Sequence, residues 1–282
     1  MNIIKNYSIK GSRNKPILLD IFYEASNLPL PIVIFSHGFK GFKDWGHFNL
    51  VAQQMAEAGF LFVKFNFSHN GTTPEKPEAF ADLEAFGHNN LSTELDDLEL
   101  VIDFVLNGSW GDQKIDANAL NLLGHSRGGG ISILQGTNDK RVSKLCTWSA
   151  VSSFDRFFDS YFTDEWEKNG VIYIPNSRTK QQMPLYKQYL DDLKKNADRL
   201  DILATAKKLK KPYLIVHGTD DTTVDYRKAK ALKEAAPCST LLTVQGGNHV
   251  FGAKHPYKSK DLPIQAQQVL TETIKFFRKS AG

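Results

Sequence analysis

Leu120-Asn121-Leu122-Leu123-Gly124-His125-Ser126-Arg127-Gly128-Gly129-Gly130 decides the fold. The first four residues are an apolar run of strand character, and a helical pattern runs from Gly128 to Gln135. Between them lies a G-x-S-x-G pentapeptide. A chain that passes so abruptly from strand to helix pushes its central side chain into a cleft and holds that residue in strained torsions. The positions two before and two after the centre crowd the turn, and both are glycine here. Gly129 and Gly130 let the helix start close to the sheet. Ser126 then stands at the positive end of that helix, where developing negative charge is favoured. The pentapeptide alone is a weak signal, and the strand before it and the helix after it give it weight.

Outward from this turn, strands alternate with helices. Residues 2–10 and 17–25 read as strands separated by Gly11, Asn14 and Pro16. Pro31 opens Ile32-Val33-Ile34-Phe35, a run typical of a strand buried on both faces. A helix over 47–58 ends at Gly59, and residues 61–67 form the next strand. Residues 70–90 read as loop. Ser92 or Thr93 caps a helix over 94–106, where Leu95, Leu98, Val101, Ile102 and Val105 share a face. Strands come next at 144–151, 212–216 and 240–244, and an amphipathic helix spans 264–278. The pattern predicts an α/β fold, a mostly parallel eight-stranded twisted sheet with helices on both faces. Only 152–208 breaks the rhythm. It is rich in aromatics (Phe154, Phe157, Phe158, Tyr161, Phe162, Trp166 and Tyr173) and reads as a cap inserted into a core of residues 1–151 and 209–282.

Composition narrows the function classes. Thirty-five basic against 31 acidic residues leave a formal charge of +4 over 282 residues, too little to argue for nucleic acid or an anionic membrane. The one basic run, Lys207 to Lys211, reads as a solvated helix end. No window reaches the length of about 18 apolar residues that a membrane span needs, and residues 1–8 lack a signal-peptide run. A cytoplasmic protein is expected. Cys146 and Cys238 make no disulfide framework and read as reduced, buried thiols. No H-x-H or H-E-x-x-H spacing occurs, so neither metal nor other cofactor is expected.

A serine hydroxyl needs a base, and the base needs an orienting carboxylate. On a parallel sheet these come from the carboxyl ends of strands. After strand 212–216, Asp220, Asp221 and Asp225 compete for the carboxylate role. Asp221 is favoured because Gly218 makes the turn and the third residue beyond it can fold back under the site. Only His249 and His255 lie further on. His249 comes after strand 240–244 and the flexible Gly246-Gly247-Asn248, whereas His255 precedes Pro256 and reads as surface loop. His37, His125 and His217 have milder explanations, as loop ties or as a neighbour of the serine. Arg127 could attract an acidic substrate group or pair with a carboxylate, and the second reading is preferred.

The order Ser126, Asp221, His249 resembles that of the α/β-hydrolase superfamily over roughly residues 30–280. Within it the chain is most similar to dienelactone-hydrolase-like and cinnamoyl or feruloyl-esterase-like proteins, through His37-Gly38-Phe39-Lys40-Gly41, the G-H-S-x-G-G elbow and His217 to Val224. Dienelactone hydrolases proper carry cysteine where this chain has Ser126. The resemblance implies the α/β-hydrolase fold, a catalytic triad of Ser126, Asp221 and His249, and an oxyanion hole from the backbone N–H groups of Phe39 and Arg127. It implies cleavage of small to medium acyl or aryl esters through an acyl-enzyme on Ser126, with a small-molecule ester as partner. A peptidase or thioesterase would use the same triad. A non-catalytic ligand-binding module on the same scaffold is the reading from another class. His69, Phe154, Phe158 and Trp166 are candidate substrate contacts, although the cap's aromatics could equally pack its own small core.

Overall fold

The computed structural model describes residues 1–155 and 160–279. Among these, eight strands form one sheet: β1 (Asn2–Lys10), β2 (Pro16–Tyr23), β3 (Leu30–Ser36), β4 (Leu61–Asn66), β5 (Ile115–His125), β6 (Val142–Trp148), β9 (Tyr213–Gly218) and β10 (Ser239–Val244). A separate hairpin pairs β7 (Val171–Pro175) with β8 (Gln182–Tyr186). The order across the main sheet is β1-β2-β4-β3-β5-β6-β9-β10. β1, β2 and β4 pair antiparallel, and β4 onward is parallel. β3 and β5, which lead to the H-G-F-x-G loop and the serine turn, are therefore neighbours, with Ser36 beside Gly124.

Alternation along the central strands divides the core in two. Ile32, Ile34, Leu120, Leu122, Leu145 and Ile215 face one side. They pack with α3 (Leu91–Asn107), α4 (Arg127–Asn138) and α8 (Arg227–Ala235). Val33, Phe35, Leu123, Cys146, Leu214 and Val216 face the other, against α1 (Phe48–Glu57) and α9 (Ile264–Arg278). Helices on both faces explain why these strands read as unbroken apolar runs.

Four expectations need correction. Residues 70–90 contain a short helix, α2 (Leu83–Gly87), because Asp82 caps it by accepting from the Ala85 amide at 2.8 Å. α3 begins at Leu91, and its cap is Asn90 (Thr93 N–H to Oδ1, 2.8 Å) rather than Ser92 or Thr93. Cys146 is buried, but Cys238 is exposed in the turn before β10. His255 is more than surface loop: its ring packs on Phe42 and Trp45, and Nδ1 accepts the Gly46 N–H at 3.0 Å.

The 152–208 segment holds α5 (Ser160–Asn169), the β7–β8 hairpin, α6 (Gln188–Lys195) and α7 (Ile202–Ala206). Trp166, Ile172, Met183, Leu185 and Tyr189 pack in the same apolar cluster as α3 and α4, so the segment shares the main core.

Candidate active site

β5 ends in the turn, and α4 starts at its next residue. Ser126 sits between them at φ 56°, ψ −120°, a conformation an L-residue rarely adopts. The turn leaves no room beside it. A Cβ on Gly124 would lie 2.4 Å from the Gly128 carbonyl oxygen, and one on Gly128 would lie 2.3 Å from that of His37. The Ser126 amide donates to Trp148 O at 2.9 Å, which fastens the turn to the end of β6.

The three candidate side chains converge. Ser126 Oγ is 3.0 Å from His249 Nε2, and His249 Nδ1 is 2.8 Å from Asp221 Oδ2. Asp221 Oδ1 accepts the amides of Thr223 and Val224, both at 2.9 Å. A second histidine lies beside this carboxylate: His217 Nε2 donates to Val224 O at 2.8 Å and is 3.2 Å from Oδ2. Burial alone would raise the Asp221 pKa, but the hydrogen bonds from His217 and His249 hold it well below the usual carboxylate range. Asp220 instead accepts from the Thr219 hydroxyl, and Asp225 pairs with Arg227 in solvent.

The other histidines here are kept neutral. Burial lowers His125 to about 3 and His37 to about 4. His125 Nε2 donates to the carbonyl of His249 at 2.9 Å, and His37 Nδ1 donates to Gly38 O at 2.9 Å. Both hold backbone at the site.

Arg127 opens α4, so its amide has no partner within the helix. Its guanidinium is buried, 2.5 Å from Glu94 Oε1 and 4.3 Å from the centre of the Phe39 ring. Asn89 Nδ2 also donates to that Glu94 oxygen. The Arg127 side chain thus pairs with a carboxylate. Glu94 carried no signal in the sequence beyond its place on α3.

Two cavities meet at Ser126. One, about 370 Å³, is walled by Phe39, Val151, Phe154, Tyr189 and Val224. The other, about 430 Å³, is lined by His249, Trp45, Phe48 and the β7–β8 turn. Of the expected substrate contacts, Phe154 lines the first cavity. Trp166 lines neither. It is 1% exposed, stacks on Tyr189, and donates from Nε1 to Leu185 O inside the inserted segment. His69 is also buried away from both, with Nδ1 2.7 Å from Ser68 Oγ. Phe158 lies outside the described residues. Among the described residues no His, Cys, Asp or Glu cluster could hold a metal, and no helix is long and apolar enough to cross a membrane.

The BD-FAE family profile matches residues 19–236, well over half of the chain. No curated protein matches the sequence. Similar solved structures include Est1E from Butyrivibrio proteoclasticus, with TM-score 0.70, 18% identity and 97% of each chain covered. Est1E has also been solved with ferulic acid bound. The esterase domain of a Rhodothermus marinus protein aligns at TM-score 0.61 and 16% identity, over 89% of this chain and 91% of that one. A puromycin-hydrolyzing peptidase of Mycobacterium tuberculosis aligns at 0.67 and 16%, over all of this chain and 39% of its own. These likenesses, all far below a quarter identical, concern the fold. The chain belongs to the BD-FAE family, and its fold is that of the α/β-hydrolases.

Proposed function

We propose that the protein is a serine hydrolase of carboxylic esters, acting through an acyl-enzyme on Ser126. The observation that carries this reading is the continuous chain from Ser126 Oγ through His249 to Asp221, at 3.0 and 2.8 Å. His249 takes the hydroxyl proton as Oγ attacks the ester carbonyl carbon. Asp221 fixes the imidazole with its proton on Nδ1 and stabilises the imidazolium. The amides of Phe39 and Arg127 receive the oxyanion. The tetrahedral intermediate then collapses, the bond to the leaving oxygen breaks, and His249 Nε2 protonates the departing alcohol. Water, activated by the same imidazole, adds to the acyl-enzyme and releases the acid and the free serine.

The two cavities divide between the two halves of the substrate. His249 lines only the larger one, and the leaving oxygen must come within reach of its Nε2. The alcohol therefore occupies the 430 Å³ cavity and the acyl group the 370 Å³ one. Phe39, Phe154 and Tyr189 suit the latter to a medium acyl or aryl group. On this reading residues 152–208 cap the site, since Phe154 and Tyr189 wall the acyl side and the β7–β8 turn walls the alcohol side.

The test is an ester panel on wild type and Ser126→Ala, beside labelling with a fluorophosphonate probe. Loss of labelling and a fall of about 10⁴-fold or more in turnover are expected for the variant. Undiminished labelling would reject the assignment. Acyl-thioesters and aminoacyl amides run in parallel separate ester cleavage from thioesterase or peptidase action.

A further inference from the structure

The turn between β7 and β8 forms one wall of the cavity assigned to the leaving alcohol. Asn176, Ser177 and Arg178 line it there, with Lys40 beside them, and among the described residues no Asp or Glu lines any part of it. The turn is fixed in place. The Lys180 amide donates to Asn176 O at 2.8 Å and the Asn176 amide to Gln181 O at 2.9 Å. Two contacts pin it to the core: Lys40 Nζ donates to Pro175 O, and Gln181 Nε2 donates to Phe80 O, each at 2.9 Å.

Arg178 has no counter-charge among the described residues. Its guanidinium lies 5.4 Å from the centre of the Phe42 ring and 5.6 Å from that of Phe80. Partial burial lowers its pKa, with no carboxylate acting to raise it. Arg127 and Arg141 contrast with it, since each is paired with carboxylates. Asn176, 6% exposed, accepts the Arg178 amide on Oδ1 at 3.2 Å, which makes Nδ2 its remaining donor. That Nδ2 is buried and has no partner among the described residues. Two cations on the wall of a cavity without acids form a site of positive potential. A neutral alcohol has no use for it. A planar anion would be matched by the guanidinium fork.

We propose that this cavity selects esters whose alcohol portion carries a carboxylate, with Arg178 as the principal contact and Lys40 adding to the field. The proposal rests on the acyl-enzyme reading of Ser126 and extends it to the leaving group.

The test compares 4-carboxyphenyl acetate with 4-(methoxycarbonyl)phenyl acetate on the full chain. The two share an acyl group and a ring and differ in the charge. Their intrinsic reactivities differ, but that difference is common to every variant, so changes in the ratio of kcat/KM report recognition. Arg178→Gln should lower the charged-to-neutral ratio about tenfold, as expected for losing one charge-assisted contact. Arg178→Lys should lower it less and serves as the second variant should the glutamine protein fold poorly. Raising salt should lower the wild-type ratio. A ratio unchanged by Arg178→Gln, with both esters turned over, overturns this proposal alone. Failure of wild type to cleave either ester overturns the acyl-enzyme reading and this proposal with it.

Discussion

The guanidinium of Arg127 lies 4.3 Å from the ring centre of Phe39, so the two residues proposed to supply the oxyanion donors touch through their side chains. Glu94 holds the other side of that guanidinium at 2.5 Å. The loop after β3 and the start of α4 are thereby tied at the point where both amides must face one oxygen atom. Arg127→Lys keeps the charge and the backbone amide but loses the planar stack. We expect kcat to fall about tenfold with little change in KM, because a misplaced donor weakens the transition state more than the bound ester. Steady-state kinetics on one activated ester measures the split. A rise in KM at constant kcat would show that the stack serves binding instead.

His217 and Asp221 make a similar pair. His217→Leu removes one of the two imidazoles beside a buried carboxylate, and with it the bond to Val224 O that holds the Asp221 loop. Turnover should fall about tenfold, since leaving the Val224 carbonyl unpaired in a buried loop costs about 1–3 kcal/mol and loosens the loop that holds Asp221. The pH dependence has a definite sign. Asp221 is held below its ordinary pKa, so its ionised form stabilises the fold above the unfolded value of about 3.9, and that contribution is lost as pH falls. The stability gap between wild type and His217→Leu should be widest near neutrality and narrow below about pH 4. Denaturant unfolding at several pH values measures it. A gap that grows on acidification would contradict the assignment.

Strain at the serine turn predicts opposite effects for two small substitutions. Ser126→Ala keeps a Cβ at φ 56°, whereas Ser126→Gly removes the steric cost of that conformation. The glycine variant should be more stable than the alanine variant by about 1 kcal/mol, although glycine is usually the more destabilising choice. Gly128→Ala should be poorly folded or inactive, since its Cβ would fall 2.3 Å from the His37 carbonyl oxygen. Thermal melts of the three proteins rank them.

The parts of this site legible in the sequence are those fixed by chain order. Strands β5, β9 and β10 announce themselves as apolar runs, and in a parallel sheet the loops leaving their carboxyl ends gather on one edge. Ser126, Asp221 and His249 can therefore be brought together without coordinates. Which way a side chain faces is not legible. Trp166 and Phe154 are both aromatics of the inserted segment, yet one fills its interior and the other a cavity wall. His217 ties the loop after β9 through Val224 O, as its place at the strand end suggests, but nothing local shows that the same ring lies 3.2 Å from the Asp221 carboxylate. α8 gives little signal because its buried face offers only Ala229, Leu232 and Ala235 among lysines. Asp20 and Lys64 give a plainer one, as opposite charges each inside an otherwise apolar strand, although the strands' pairing is needed to bring them together.

Those two residues form the centre of a buried ion quartet. Lys64 Nζ lies 2.6 Å from Asp20 Oδ2 and 2.5 Å from Asp44 Oδ1, and Lys43 Nζ is 2.8 Å from Asp20 Oδ2 and also contacts Asp44. None of the four side chains is more than 5% exposed, and their charges cancel. Lys43 and Asp44 belong to the segment that continues from Phe39, so the quartet anchors the proposed oxyanion loop to β2 and β4. Lys64→Met leaves two buried carboxylates facing one ammonium and should cost about 3–5 kcal/mol. Lys64→Met with Asp20→Asn should cost less than the two single changes added together, because the second change removes a charge the first left unpaired. Acid sensitivity is a further consequence. Burial opposes ionisation of Asp44, but Lys64 and Lys43 outweigh it and hold its pKa at about 2. A carboxylate depressed in this way stabilises the fold above its unfolded pKa of about 3.9, and the contribution fades as pH drops toward 2. Wild type should therefore lose stability over that interval more steeply than Lys64→Met, in which one of the two depressing charges is gone. Parallel slopes for the two proteins would mean that the quartet does not govern the acid transition.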